Sequence, residues 1–196
     1  MMRRRSALAL PLVTLAMPAR GQSWPTRPIR LVVPFAPGGT TDVMARLLAE
    51  RLGPRLGQPV VVENRAGAGA TIGAAAVAQA APDGHVLLMS NSTSHGVSPA
   101  LYANLPYGPM RDFTHVALVA TSPSVLVVTR AHPARDLAAF IEHARAAGEI
   151  DFAVAGIGTS SHLAGVRLGL ALGVRVVAVP YRGAGPALTD TIAGVV

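Results

Sequence analysis

Short runs of β-branched and apolar residues alternate along this chain with longer stretches whose apolar positions recur every three or four residues. Residues 29–35 (IRLVVPF) read as a strand. Residues 41–56 read as a helix with an apolar stripe of Val43, Leu47, Leu48, Leu52 and Leu56. Thr40 or Thr41 is placed to cap that helix, Asp42 suits its positive end, and Gly57 and Pro59 stop it. A second strand is expected at 60–63, an Ala-rich helix at 71–81 ending in Pro82-Asp83-Gly84, and a third strand at 86–89. Residues 90–109 read as loop with one helical turn near 99–102. Strands are expected at 113–120 and 124–129, a helix at 136–147 with Asp136 near its start, and a strand at 151–154. A helix at 160–172, a strand at 174–179 and a helix at 185–192 follow. Strands alternating with helices in this way predict an α/β fold with mostly parallel sheets.

The first 24 residues, MMRRRSALALPLVTLAMPARGQSW, break the pattern. A basic start, a short apolar stretch and small residues near 19–21 form a secretory signal peptide pattern, with cleavage expected near Gly21–Gln22. The apolar stretch is about half the length a membrane span needs. The leader also changes the reading of charge. The chain carries a net +7, with 17 basic residues that are all Arg. Four of these Arg lie in the leader, and from Gln22 onward 13 Arg face 10 acids. The remaining Arg are scattered, without a basic stripe or interleaved aromatics, so nucleic acid is not an expected partner. There is no Cys, which removes disulfides, thiolate catalysis and Cys-type zinc sites.

Two glycine turns carry the candidate chemistry. Pro37-Gly38-Gly39-Thr40-Thr41-Asp42 follows the first strand and opens a helix, and Gly156-Ile157-Gly158-Thr159-Ser160-Ser161-His162 does the same after the strand at 151–154. Ligands of open α/β sheets bind beyond the carboxyl ends of the strands. Free N–H groups in a first helical turn donate to an anion there. Neither turn contains an Arg, so a carboxylate held there is met by N–H groups, hydroxyls and helix dipoles. A P-loop is excluded because the chain has no Lys. The stretch Gly67-Ala68-Gly69-Ala70-Thr71-Ile72-Gly73 has one residue too many for a dinucleotide fingerprint and reads as a turn into the Ala-rich helix. No cofactor is indicated. Ser160, Ser161 and His162 are adjacent at a helix start and point in different directions, which makes a poor nucleophile and base, and no Gly-x-Ser-x-Gly elbow exists. The six His show no metal-ligand spacing. Asp42 is either a helix-start charge or a reader of ligand amines.

The stretches WPTRPIRLVVPFAPGGTTDVMARLLAERL, LGQPVVVENRAGAGATIGAAAVAQAAPDG, HGVSPALY with LPYGPMRDF, and GIGTSSHLAG with VPYRGAGPAL occur in an order that resembles the substrate-binding receptors of tripartite tricarboxylate transporters, the Bug-type receptors. The resemblance implies a type II-like periplasmic binding protein fold: α/β, two lobes with mostly parallel sheets, closing on the ligand. It implies a non-enzymatic periplasmic receptor for a small di- or tricarboxylate or similar organic acid, delivered to the permease subunits of the transporter, with no stable membrane insertion after the leader is removed. By motif match the ligand-binding residues are Gly38, Gly39, Thr40, Thr41 and Asp42 in the first lobe and Thr159, Ser160, Ser161 and His162 in the second, with Asn91 and Thr93 facing the cleft. The expected organisation is a leader at 1–21, lobe 1 at 22–118 and lobe 2 at 119–196. Two departures stand out: Arg65-Ala66-Gly67 replaces the family's more frequent Arg-Pro-Gly, and Ile157 stands where many relatives carry a polar residue. Family members are also longer. The resemblance therefore implies a C-terminally truncated chain, with an incomplete second lobe and return crossing and with apolar faces left exposed. A non-functional remnant of such a receptor and an α/β enzyme acting on a small acid remain as alternatives.

Overall fold

β1 (Ile29–Val33) is buried along almost its whole length because it is the middle strand of a three-stranded parallel sheet. A strand covered on both faces reads as an unbroken apolar run, as IRLVV does. In the computed structural model, which describes residues 23–196, β2 (Val60–Asn64) pairs in register from Ile29↔Val60 to Val33↔Asn64. β3 (Val86–Leu88) pairs on the other side. The expected leader at 1–21 lies outside the described residues. α1 (Thr40–Leu56) packs on β1 and β2, and α2 (Thr71–Ala78) on β1 and β3. Leu31, Val33, Phe35, Ala45 and Ala70 form the core of this half, and Leu48, Val62 and Leu87 close it. Each fully buried side chain of this size contributes about 1.5–3 kcal/mol.

The second half is a parallel pair, β4 (Glu149–Val154) with β5 (Arg175–Pro180). Around it lie α4 (Leu137–Ala147), α5 (Ser160–Leu172) and α6 (Ala184–Ala193). α5 lies flush on the sheet because its inner face is glycine: a Cβ on Gly165 would sit 2.9 Å from the Phe152 ring, and one on Gly169 2.8 Å from Val176. Asp136 caps α4, accepting from the Ala139 N–H at 2.8 Å.

Three expectations are corrected. Neither Thr40 nor Thr41 caps α1. Gly39 is the N-cap, and both threonines belong to the first turn. The buried face of α1 centres on Asp42 and Ala45, whereas Val43 and Leu47 are half-exposed. The inward turn of Asp42 toward the preceding loop fixes that rotation. Residues 113–120 and 124–129 are irregular, not strands. A strand exists only where a neighbour completes its ladder, and these residues have none among the described ones. Phe113 packs against His95 and Tyr107, and residues 124–129 line a groove with Phe140 and Ile150, but other side chains stay in solvent, with Val116 84% and Leu118 82% exposed. The expected turn near 99–102 is present as a π-helical turn (Thr93–Val97) running into α3 (Ser98–Leu101).

Candidate functional site

Parallel pairing places the carboxyl ends of β1, β2 and β3 on one edge, and those of β4 and β5 on another. The loop leaving β1 reaches α1 through Pro37-Gly38-Gly39. Gly38 has φ +85°, a conformation that L side chains resist. Asp42, 3% exposed, holds this loop. Its carboxylate accepts from the Gly38 N–H at 3.0 Å, from Arg46 Nε and Nη2, both at 3.0 Å, and from Asn64 Nδ2 at 2.8 Å. Asn64 Nδ2 also donates to the Phe35 carbonyl at 3.0 Å, tying the loop to the end of β2. Burial pushes the Asp42 carboxyl upward, but Arg46, the Gly38 N–H and Asn64 outweigh it and hold the group at about 2. Asp42 is therefore ionised and fully engaged by the protein. Thr40 and Thr41 occupy the first two helical positions, whose N–H groups have no intrahelical acceptor.

The loop leaving β4 is organised by Thr159, the N-cap of α5. Its hydroxyl donates to the Gly156 carbonyl at 2.6 Å and accepts from the His162 N–H at 3.4 Å. Ser161 Oγ accepts from the Ala155 N–H at 3.0 Å, and His162 Nδ1 accepts from the Gly158 N–H at 3.2 Å. Ser161 Oγ and His162 Nδ1 are thus engaged by the loop's own backbone. Ser160 is exposed. Asn91 lies on the loop after β3, where its Oδ1 accepts from the Thr93 and Ser94 N–H groups, each at 3.1 Å, and Thr93 is buried.

Two further loops complete the arrangement, and neither was singled out as a site from sequence. After β2, Gly67, Ala68, Gly69 and Ala70 all have positive φ, of 138°, 43°, 58° and 74°. For the two alanines this costs roughly 1–2 kcal/mol each, and such strain concentrates at functional positions. After β5 comes Tyr181-Arg182-Gly183. The halves touch through these loops. The Ala36 N–H donates to the Arg182 carbonyl at 2.8 Å. A Cβ on Gly39 would lie 3.4 Å from that of Ala184, and one on Gly69 would lie 2.6 Å from the Ile157 carbonyl oxygen. Together the loops enclose a cavity of about 230 Å³ lined by residues 66–70, Phe35, Ile72, Ala155, Tyr181 and Arg182. The turn at 37–39 thus meets the start of α6, and the turn at 156–158 meets the turn at 67–70. Residues 38–42, Asn91, Thr93 and 159–162 stand outside the cavity's lining. The overlooked signal was the concentration of Gly and Ala at 66–70, immediately beyond a strand end.

Among the described residues, no three His, Asp or Glu side chains are grouped to hold a metal, and no helix is long and apolar enough to cross a membrane. Two parallel sheets thus direct small-residue loops toward a small cavity, and a second cavity of about 570 Å³ lies beside β4, lined by residues 124–129, Phe140, Ile150, Ser161 and Leu168. The chain belongs to the tripartite tricarboxylate transporter family of receptors, TctC, whose family model matches residues 44–196. A UPF0065 protein of Pseudomonas sp. is 44% identical over 196 residues, covering 98% of this chain and 58% of that protein. Among solved structures, an R. palustris protein with adipate superposes with a TM-score of 0.85 at 38% identity, over 88% of this chain and 58% of that one. MatC from Rhodopseudomonas palustris with bound malate superposes with a TM-score of 0.81 at 40% identity, over 88% of this chain and 59% of that one. The expected α/β binding-protein fold with parallel sheets, incomplete relative to a whole two-lobed receptor, is the one shared with these structures. The chain spans about 58% of the length of the relatives it matches.

Proposed function

We propose that the chain binds a small organic acid through its carboxylate where the strand-end loops meet, and that it serves a tripartite transporter by presenting that acid to the permease subunits. The observation that carries the proposal is the cavity between the loops of the two halves. Family membership and the malate and adipate held by its structural relatives agree with it. In this reading the acid reaches beyond the cavity's lining to the backbone N–H groups of Gly39, Thr40 and Thr41 on one side, with Gly38 shaping that turn and its own N–H held by Asp42. Thr159, Ser160, Ser161 and His162 offer the α5 N-terminus from the other, and Asn91 and Thr93 stand at the rim. Residues 22–118 and 119–196 act as the two lobes, and the leader at 1–21 sends the chain to the periplasm.

The test is a thermal melt of the full chain, alone and with millimolar citrate, succinate, malate, glutamate and nicotinate. A ligand at about 100 times its dissociation constant adds about 2.7 kcal/mol to the folded state and raises the midpoint. A midpoint that none of the acids moves argues against the proposal. A second reading, a receptor remnant that binds nothing, is favoured by one observation: the exposed apolar side chains along 113–129. Its signature is a broad, uncooperative melt with dye-accessible apolar surface.

A further inference from the structure

We infer that the site selects organic acids lacking an amino group and that Arg182 reads the ligand's negative charge. This inference rests on the receptor reading above. Arg182 is the only charged residue lining the cavity, and it makes no ion pair among the described residues. Its backbone carbonyl is the part that bonds the other half, accepting from the Ala36 N–H, so its side chain remains available.

Among the described residues, no acid lines the cavity. Of the three acids that lie one bonded or sequence step behind its walls, Asp42 and Glu63 are paired with Arg, and Asp190 stands behind Tyr181. Asp42, joined to Phe35 through Asn64, accepts from Gly38, Arg46 and Asn64. Glu63, at the end of β2 before the 66–70 turn, pairs with Arg30 and Arg65. Asp190 accepts from the hydroxyl of the lining Tyr181 at 2.8 Å. An ammonium group entering the cavity meets Ala, Gly, Ile, Phe and Tyr surface and a guanidinium, and no carboxylate in the lining among the described residues. Placing that charge beside a guanidinium, with no lining carboxylate to offset it, is unfavourable. The volume of about 230 Å³, below the roughly 300–1,000 Å³ of drug-sized sites, suits a small acid. Asp42, the residue type placed to read an amine, instead holds the glycine turn.

The experiment compares matched pairs that differ only by the amine, using calorimetric titration of the full chain: succinate with aspartate, glutarate with glutamate, and 3-phenylpropionate with phenylalanine. The expected result is at least tenfold tighter binding of one amine-free acid than of its amino partner. Arg182→Gln should weaken that acid at least tenfold while leaving the unliganded melting midpoint in place. Equal affinity within a pair overturns the selectivity, and unchanged affinity of R182Q overturns the role of Arg182. Binding of no member of any pair overturns the receptor reading itself and the inference with it.

Discussion

Replacing Asp42 by asparagine keeps the size of the side chain and removes its charge at the point where the first glycine turn is pinned. Three groups lose a carboxylate acceptor: the Gly38 N–H, the Arg46 guanidinium and the Asn64 amide. The carboxyl sits at about 2 in the folded chain against 3.8 for a free aspartate. At 1.36 kcal/mol per pKa unit this is roughly 2 kcal/mol of stability. Arg46 is half-exposed, so salt screens part of it and about 1–2 kcal/mol is the expected loss at pH 7. The sign follows from linkage. A carboxyl whose folded pKa lies below its unfolded one stabilises the fold fully above about pH 4 and loses that contribution as pH falls through about 2. The difference between parent and D42N should therefore be largest at pH 5 and above and roughly halve by pH 3. Asp83 and Asp112, each also held at about 2, titrate in both proteins and cancel in the difference. Urea unfolding followed by fluorescence of Trp24, the single tryptophan, which packs edge-on against His85 in the same half, supplies the measurement. A stability difference that is the same at pH 3 and pH 5, or absent at pH 7, refutes the pinning role.

Four further outcomes are expected. Thr159→Ala removes the cap of α5 and its bond to Gly156, and should cost about 1–2 kcal/mol by urea unfolding, with Thr159→Ser retaining most of it. Gly69→Ala places a methyl group against the Ile157 carbonyl at φ +58°. It should weaken acid binding at least tenfold by calorimetry, about 1.4 kcal/mol, because the turns at 67–70 and 156–158 no longer approach. Gly165→Ala should lower the melting midpoint even though alanine gains about 1 kcal/mol of helix propensity, since the added methyl meets Phe152 and overpacking costs about 1–3 kcal/mol. Asp136→Ala should cost about 1 kcal/mol through lost capping of α4, read from the shift in denaturation midpoint.

The elements that were legible in the sequence are those whose signals are local. The α5 boundaries follow from hydroxyl residues before an apolar period and a glycine after it, and Asp136 announces α4 in the same way. The core role of β1 follows from its uninterrupted apolar run. What was missed depends on partners distant in the chain. Apolar β-prone residues at 113–129 resemble strands, yet whether they pair is decided by a neighbour that composition does not reveal. The face of α1 turns on Asp42 reaching back to Gly38, as the acidic member of a capping box does but without its hydroxyl half. Two half-exposed apolar residues, Val43 and Leu47, were thereby assigned to the wrong side. The cavity's floor is the hardest case. Positive φ at Ala68 and Ala70 belongs to a turn that seats Ala70 in the core of the first half, and no propensity scale marks alanine for it.

Calorimetric titration of the full chain with malate and with adipate, in the presence of a parallel assay for chemical change of either acid, tests the central claim most directly. The receptor reading predicts saturable binding of at least one acid at one site per chain, with the acid recovered unchanged. The absence of saturable heat for both, or the conversion of either acid to product, contradicts it.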